Sequence, residues 1–261
     1  MDTAKAQEKA TTESLHTILA RIGTIAPEKS LTEAISGEES EFCEVHHSEL
    51  PCSVCQLLEA DRVKAKQAVV ARLMPNAQIG KRYHNMTFPD YKPTCKESTE
   101  IKTRCVRYSE TFKNRLENCD SILMLGKPGT GKNMLAACIC RSIMEQGFTA
   151  LHTTAIKLVR AIKGAWHKDS EQTEQEVINS FLIPDLLVID EIGVQFGSDT
   201  EKLFLTEIVI DRHENMRPTI LLSNLSLPEI ETYIGLRAID RFYEGDSAIM
   251  TFTWESWRRR K

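Results

Sequence analysis

The sequence predicts an α/β fold in which a parallel sheet is covered by helices on both faces. Short apolar runs of strand length alternate with helical patterns between residues 122 and 253, as expected for a parallel sheet. Two of these runs end in polar motifs, GKPGTGKN at 126–133 and DE at 190–191. Because ligands bind at the carboxyl ends of strands in such sheets, both motifs are candidate parts of one site.

The individual elements follow from the spacing of apolar residues and from Gly and Pro punctuation. The predicted strands cover residues 122–125, 149–153, 186–189, 219–223 and 248–253. The predicted helices of the same region cover residues 132–146, 155–167, 171–182, 199–214, 228–234 and 236–243. Two further helices are predicted upstream, over residues 3–22 and 56–74. We therefore expect a small helical N-terminal domain over residues 1–75 and the α/β domain over residues 76–261.

Composition and charge exclude some classes of protein. The chain has 261 residues and a formal net charge of −4, which argues against a uniformly basic nucleic-acid binder. Its apolar runs all fall short of the roughly 20 residues that span a membrane, and the first residues lack the apolar core of a signal peptide. We therefore expect a cytoplasmic protein with no membrane contact, whose eight cysteines are thiols or metal ligands rather than disulfides.

The segment GKPGTGKN differs at one position from the phosphate-binding P-loop pattern G-x-x-x-x-G-K-[S/T]. Asn133 replaces the Ser or Thr whose hydroxyl normally binds Mg²⁺, and its amide oxygen is a hard ligand that Mg²⁺ accepts directly or through water. Because the segment lies between a predicted strand and a predicted helix, its backbone N–H groups are expected to hold the β-phosphate. The predicted ATP-binding residues of the loop are Gly126, Lys127, Pro128, Gly129, Thr130, Gly131, Lys132 and Asn133.

Polar side chains also follow two buried strands downstream of the loop. LLVIDE ends in Asp190 and Glu191, and LLSN ends in Asn224. Asp190 is expected to hold Mg²⁺, and Glu191 is expected to act as general base for the attacking water. Asn224 is expected to orient that water or to sense the γ-phosphate. Each prediction has a plainer alternative, since acids also cap strands in solvent and Ser-Asn commonly begins a turn.

Two charged helix faces are further candidates. In GLRAIDRFYEG, Arg237 and Arg241 share one helix face, from which an arginine can reach the γ-phosphate in a neighbouring subunit. In the helix over 155–167, basic residues lie opposite an apolar side that includes Trp166, which is therefore expected in the core. The basic side can follow a phosphate backbone, and its predicted DNA-binding residues are Lys157, Arg160, Lys163 and Lys168. The basic tail, residues 258–261, is a second DNA candidate. For all of these, a solvated charged surface is the alternative.

The segment CEVHHSELPCSVC has the ligand types and spacing of a structural zinc site. Cys52 and Cys55 form one pair, and Cys43 and His46 form a second pair at the same spacing, with His47 as an alternative to His46. A bound Zn²⁺ would stabilise a segment that is too short to bury much core. The alternative is a set of free thiols near two surface histidines. The other five cysteines are expected to be structural thiols.

Together, GKPGTGKN, LLVIDEIGVQ, LLSN, LRAIDR and TWESWRRR resemble the DnaC-type helicase loaders, AAA+ ATPases related to the IstB transposition ATPases. The resemblance covers residues 83–258 and begins in YHNMTFPDY. It implies an AAA+ P-loop NTPase. Only a few residues follow the last predicted strand, so we expect the domain to lack a full C-terminal lid. The small helical zinc-binding domain before it is expected to contact the helicase. The resemblance also implies loading of a replicative hexameric DNA helicase onto single-stranded DNA under the control of ATP and Mg²⁺. The N-terminal segment favours a phage or prophage origin.

The resemblance assigns roles to individual residues. Lys132 corresponds to the Walker A lysine, and Asp190 with Glu191 corresponds to the Walker B pair. Asn224 corresponds to sensor 1, Arg241 to the arginine finger and Arg258 to sensor 2. Arg237 lies on the same helix as the finger and is placed with the nucleotide-binding residues. A finger that acts in trans requires head-to-tail self-assembly, which we expect on ATP, DNA or the helicase. Loaders of this type carry the same GKN, so ATP hydrolysis is expected to be weak and to serve as a switch.

Two other functions fit the same residues. An IstB-like ATPase that assists a transposase would carry the same nucleotide site, although the zinc-type N-terminus and the GKN loop favour a loader. A nucleotide-gated module that binds DNA or helicase with negligible turnover would need the nucleotide-binding residues but would not need Glu191 as a base.

Overall fold

The computed structural model describes residues 42–43, 48–49, 61, 64, 67–68, 70–193 and 199–257. The chain divides into two compact units, residues 1–56 and residues 57–261. In the first unit, strands β1 (Phe42–Cys43) and β2 (Ser48–Glu49) pair antiparallel. The helix predicted over residues 3–22 and the side chains of the predicted zinc ligands lie outside the described residues. They stay predictions, as does the domain boundary at residue 76.

Five parallel strands form the sheet of the second unit, in the order β4-β5-β6-β3-β7. Their bounds are β3 Ile122–Gly126, β4 Ala150–Thr154, β5 Leu186–Ile192, β6 Thr219–Ser223 and β7 Ala248–Phe252. All five correspond to predicted strands. Strand β5 is longer than predicted because it continues through the acidic pair to Ile192.

The described helices lie on both faces of this sheet, as predicted. They are α1 Lys96–Glu110, α2 Phe112–Glu117, α3 Lys132–Glu145, α4 Ala155–Gly164, α5 Glu174–Leu182, α6 Asp199–Glu214, α7 Leu227–Ile234 and α8 Leu236–Asp240. In β3, Ile122 and Met124 belong to one buried cluster, with α1 and α3, while Leu123 and Leu125 belong to another, with α4 to α8. Successive strand side chains point to opposite faces, so the residues Ile122 to Leu125 of β3 are buried whichever way they point. Full burial of each such side chain stabilises the fold by about 1.5–3 kcal/mol.

Helices α1 and α2 lie where the sequence analysis predicts no element. The buried residues of α1 recur at helical spacing and are Ser98, Ile101, Cys105, Tyr108 and Ser109. Only Ile101 and Tyr108 among them are large and apolar, and the Tyr108 hydroxyl donates to the carbonyl oxygen of Asp120 at 2.9 Å. A helix face built partly from Ser and Cys escapes a search for apolar periodicity.

The prediction that Trp166 belongs to the core is wrong. Helix α4 ends at Gly164, two residues before Trp166, so the indole does not continue the buried side of that helix. It is 53% exposed, lies 6.0 Å from the Phe204 ring between ring centroids, and donates from Nε1 to Glu174. Its position is therefore set by contacts with α5 and α6 rather than by helical periodicity.

Arg212 of α6 is fully buried beside the amino ends of the strands. Its guanidinium donates to the carbonyl oxygens of Phe181, Leu182, Asp185 and Pro218 and to the hydroxyl of Thr219. The last carbonyls of a helix have no intrahelical partners, so Arg212 satisfies two of them at the end of α5 and joins α5, α6 and β6. Burial lowers the pKa of Arg212 to about 9.

The cysteines of the second unit behave as predicted. Cys95, Cys105, Cys119, Cys138 and Cys140 are free thiols, and all except Cys95 are buried. Burial raises the pKa of Cys105 to about 12, which keeps this thiol protonated. Within the described part of the chain, no helix has the length and apolar character required to cross a membrane.

Candidate nucleotide site

The carboxyl ends of the strands border an open cleft of about 320 Å³. The loop after β3, the ends of β5 and β6, the segment before α1 and the segment after β7 all contribute to its walls. The predicted site residues that line it are Pro128, Gly129, Thr130, Gly131, Lys132, Asn133, Asp190, Glu191 and Asn224. Tertiary folding therefore brings the three polar motifs of the sequence into one cleft.

The loop after β3 depends on glycine for its path. Gly126, Gly129 and Gly131 have φ values of 135°, 81° and 102°, which L side chains rarely adopt. A Cβ atom at Gly129 would also overlap Ser256, and one at Gly131 would overlap the ring of Tyr91. Helix α3 begins immediately after the loop, so its free N–H groups point toward the cleft end of β3.

Lys132 is held by oxygens from two of the motifs. Its Nζ donates to the carbonyl oxygen of Gly126, to that of Lys127 at 3.0 Å, and to Oδ1 of Asn224 at 3.0 Å. The side chain is buried, and burial lowers the pKa of Lys132 to about 8, although Asp190 acts in the opposite direction. A weakly solvated ammonium interacts more strongly with an anion than one in bulk water does.

Asn133 and Asp190 contact each other directly. Asn133 Nδ2 donates to Asp190 Oδ2 at 2.5 Å, and the backbone N–H of Glu191 donates to Asp190 Oδ1 at 2.7 Å. Burial raises the pKa of Asp190, and these hydrogen bonds partly offset that effect. Because its amide nitrogen faces Asp190, Asn133 keeps its amide oxygen for another group. Carboxylate and amide oxygens are hard ligands, so these two neighbouring residues fit Mg²⁺.

Glu191 occupies an irregular position in β5. The pairing of β5 with β6 shifts register between Ile189 and Ile192, and Glu191 has a left-handed backbone with φ of 59°. A left-handed conformation costs a non-glycine residue about 1–2 kcal/mol. Neighbouring residues of a regular strand point to opposite faces, whereas a bulge re-aims a side chain. The irregularity therefore allows Glu191 and Asp190 to line the same cleft.

Asn224 is positioned by the end of β6. The Ser223 hydroxyl donates to the carbonyl oxygen of Ile192 at 2.7 Å and accepts from the N–H of Leu225 at 3.1 Å. These bonds fix the start of the loop that carries Asn224 and attach it to the irregular end of β5. The turn expected as the plainer alternative for Ser-Asn is present, and the Asn224 side chain nevertheless reaches Lys132.

The two predicted arginines do not line the cleft of their own chain. Arg241 NH1 donates to Glu244 Oε1 at 2.5 Å, and Glu244 Oε2 lies 3.0 Å from Nε2 of His213. The hydrogen bond from Arg241 is the main cause of the lowered pKa of Glu244. Arg237 is exposed on the neighbouring helix α8, and Arg258 lies outside the described residues.

The predicted basic stripe is shorter than the sequence suggests. Lys157 and Arg160 are exposed on α4, but Lys163 forms an ion pair with Glu201 at 3.1 Å. Lys168 lies beyond the end of α4, so it does not extend the helical stripe as predicted. The physical reason is the early end of the helix at Gly164.

The aromatic residues around the loop belong to none of the three polar motifs of the sequence. Tyr91, Trp254 and Trp257 line the cleft, together with charged residues of the segment before α1. Tyr91 closes YHNMTFPDY and Trp254 begins WESWRRR. Both segments have no regular periodicity, so only their place in the fold shows that they meet the loop.

The geometry defines the class of protein as a P-loop nucleotide-binding protein with a parallel sheet of the AAA+ type. A family profile described as "IstB-like ATP binding protein" matches residues 38–258. The chain therefore belongs to the family of IstB-like ATP binding proteins, which is of the AAA+ ATPase type.

Two groups of curated relatives are named replicative helicase loader DnaC. The one from Escherichia coli strain K12 is 36% identical over 178 residues, which is 68% of this chain and 71% of the relative. One from Buchnera aphidicola (subspecies Acyrthosiphon pisum) is 35% identical over 194 residues, which is 74% of this chain and 78% of the relative.

Solved structures share the fold. The crystal structure of the DnaC helicase loader has a TM-score of 0.59 at 20% identity and covers 66% of this chain and 99% of that chain. The AMPPCP-bound DnaA from Aquifex aeolicus has a TM-score of 0.54 at 19% identity and covers 69% of this chain and 53% of that chain. The AAA+ fold predicted from the resemblance is therefore confirmed.

Proposed function

We propose that this protein is an ATP-dependent loader that binds a replicative hexameric DNA helicase and places it on single-stranded DNA in the cytoplasm. One observation carries the proposal. The P-loop, the acidic pair and Asn224 meet in one cleft of a chain that is 36% identical to a protein named replicative helicase loader DnaC. The resemblance extends over two thirds of both chains.

Nucleotide is the control element of the proposed activity. Lys132 and the loop N–H groups bind the phosphates. Asp190 and Asn133 would hold Mg²⁺, which when bound would supply positive charge against the phosphates. Glu191 takes a proton from the attacking water, and Asn224, which contacts Lys132 at 3.0 Å, senses the γ-phosphate. Both oxygens of Asp190 accept hydrogen bonds within the chain, which supports slow hydrolysis and a switch-like use of ATP.

Self-assembly completes the proposed site. Arg241 lies outside the cleft of its own chain, and we infer that it reaches the nucleotide of a neighbouring copy in a head-to-tail assembly. Arg237 shares this helical region, and Arg258 is the proposed sensor-2 group. Lys157 and Arg160 remain candidates for contact with single-stranded DNA, because both are exposed on α4.

The N-terminal region is the proposed helicase adaptor. It would hold one Zn²⁺ per chain through Cys43, His46, Cys52 and Cys55. Metal analysis of protein purified without chelators should give one zinc per chain, and Cys52→Ser should lose it. Protein that contains no zinc would remove this part of the proposal without affecting the nucleotide site.

Helicase loading is tested with purified components. The full chain is mixed with the replicative helicase encoded in the same genome, circular single-stranded DNA and ATP, and the helicase retained on the circles is measured after sizing. We expect a stable complex with the helicase and ATP-dependent transfer to the DNA. Binding to a transposase of that genome instead would support the IstB-like alternative. Loading unaffected by nucleotide and by Glu191→Gln would support a binding module without useful turnover.

The proposed role of Arg241 as an arginine finger is tested by mixing two inactive variants. Lys132→Ala removes nucleotide binding but keeps the finger, and Arg241→Ala keeps nucleotide binding but removes the finger. If Arg241 acts in trans, the mixture should recover at least about a tenth of wild-type hydrolysis, because an arginine finger contributes about 10³–10⁵-fold. No recovery, or normal DNA-stimulated hydrolysis by Arg241→Ala alone, would remove Arg241 from the site.

A further inference from the structure

We propose that Tyr91, Trp254 and the backbone N–H of Trp257 are positioning groups that orient two successive peptide groups of the P-loop toward phosphate. These groups come from two distant segments of the chain, one before α1 and one after β7. The inference deepens the proposed function and rests on its nucleotide-binding part. It is independent of the helicase, the DNA and the arginine finger.

Two side chains donate to the same carbonyl group. The Tyr91 hydroxyl donates to the carbonyl oxygen of Thr130 at 3.3 Å, and Trp254 Nε1 donates to the same oxygen at 3.1 Å. A carbonyl oxygen has two lone pairs, so both bonds can exist together. One residue earlier, the N–H of Trp257 donates to the carbonyl oxygen of Gly129 at 3.0 Å.

Peptide planarity transmits these bonds to the phosphate-binding side of the loop. In a planar trans peptide the C=O and the following N–H point in opposite directions. Holding the Thr130 carbonyl therefore directs the N–H of Gly131 away from the aromatic donors. Holding the Gly129 carbonyl does the same for the N–H of Thr130. Backbone N–H groups of this loop are the donors that bind phosphate, so their directions decide affinity.

The contacts belong to a closely packed arrangement. Tyr91 and Thr130 are only 6% and 3% exposed, so the contact between them lies in the protein interior. Burial raises the pKa of Tyr91, which keeps the hydroxyl protonated and able to donate. The ring of Trp254 packs against Phe252 at 5.0 Å between ring centroids. The close approach of Tyr91 and Ser256 to the loop also explains why Gly131 and Gly129 carry no side chain.

Glycine alone would leave the loop poorly defined. Gly129 and Gly131 give the loop access to positive φ, and the same freedom allows many other conformations. A loop that binds phosphate tightly must lose that freedom before the ligand arrives, because ordering on binding reduces affinity. The three donors supply this order from outside the loop.

The same aromatic residues could instead contact the base of the nucleotide, and the test separates the two roles. Tyr91→Phe and Trp254→Phe each remove one donor but keep an aromatic ring. Affinities of the full-length variants are measured by calorimetry for ATP and for inorganic tripolyphosphate, which has no base. The matched control is Tyr108→Phe, which removes a buried hydroxyl-to-carbonyl bond of 2.9 Å outside the cleft.

The expected result is an equal loss of affinity for ATP and for tripolyphosphate. Each single variant should weaken both ligands by about threefold to tenfold, as expected for one lost hydrogen bond. The double variant should lose more than the product of the single effects, because either donor alone still holds the Thr130 carbonyl. Tyr108→Phe should bind both probes as the wild type does, and thermal unfolding without ligand verifies that each variant is folded.

Three outcomes would overturn the inference. Unchanged affinity in the double variant would show that the donors do not organise the loop. Weaker binding of ATP with unchanged binding of tripolyphosphate would show that Tyr91 and Trp254 contact the base of the nucleotide instead. A wild-type chain that binds neither probe would overturn the proposed nucleotide function as well, whereas the first two outcomes leave that function intact.

Discussion

At the amino edge of the sheet, polar side chains next to the strands are paired with one another. Before β4 and β5, the Thr149 hydroxyl and N–H each donate to Asp185 at 2.8 Å, and Arg217 donates to the other oxygen of Asp185. Before β3, Arg115 donates to the buried Asp120 at 2.9 Å. The Arg212 guanidinium donates hydrogen bonds to five acceptors in this region.

At the carboxyl edge, the polar groups Asp190, Lys132 and Glu191 line an open cleft. Burial raises the pKa of Asp190 and lowers that of Lys132, so each charged form is destabilised. Glu191 has a strained left-handed backbone. Opposite charges are present in both places, but only those of the carboxyl edge line an open cleft that a ligand can enter.

The difference separates stability from function within one sheet. Fully paired polar groups hold adjacent strands and helices in place. Charged groups with shifted pKa values that line a cleft can interact with a ligand and are typical of functional sites. Substitutions at the amino edge should therefore affect unfolding, and substitutions at the carboxyl edge should affect ligand binding and hydrolysis.

The largest effect on stability is expected for Arg212→Met. The change leaves carbonyl groups without donors in the interior, so the free energy of unfolding should fall by about 3–5 kcal/mol. Urea unfolding measures it, and ATP affinity of the folded variant should stay within about twofold. The control is Arg217→Met, because Arg217 is 35% exposed and its ion pair with Asp185 should contribute only about 1 kcal/mol. Equal losses of unfolding free energy in Arg212→Met and Arg217→Met would contradict a special role for the buried arginine.

Glu191→Gln tests the carboxyl edge of the sheet. Without a general base, hydrolysis in the presence of single-stranded DNA and helicase should fall at least about 100-fold, while ATP affinity is retained. Glu145→Gln is the control, because Glu145 pairs with Arg141 on the outer side of α3. Hydrolysis that persists in Glu191→Gln would assign the chemistry to another group.

Lys132→Met should change how stability depends on pH. The folded pKa of Lys132 is about 8 and its ordinary value is 10.5, so the unfolded chain binds more protons between these values. The contribution of Lys132 to the free energy of unfolding therefore rises by up to about 3 kcal/mol as the pH increases from about 8 to 10.5. The variant should lack this rise in urea unfolding measured across that range. Other groups, including Tyr91 and Arg212, are common to both proteins and cancel in the difference.

The smallest effect is expected for Asn133→Thr. A Thr hydroxyl can contact Asp190 and is the usual Mg²⁺ ligand of this loop, so ATP affinity should stay within about threefold. Basal hydrolysis should be equal to or greater than that of the wild type. A collapse of ATP binding would show that the Asn133–Asp190 contact has a role that a hydroxyl cannot fill.

Most of the fold was predictable from local patterns. The strands are continuous apolar runs because both of their faces are buried, and the P-loop and acidic pair have recognisable spacing. Helix α1 was not predictable by the same means, because Ser98 and Cys105 occupy positions of its buried face. Trp166 was assigned to the core because periodicity gave no sign that α4 ends at Gly164.

The sequence by itself determined the α/β class, the succession of the five strands and the residues of the three motifs, because these depend on neighbours along the chain. The tertiary structure alone decided that Asn133 donates to Asp190, that Lys132 meets Asn224, and that aromatic donors from two distant segments hold the loop. It also decided that Arg212 is buried with five acceptors. Such contacts depend on distance and orientation between segments far apart in the chain, and no periodicity or spacing encodes them.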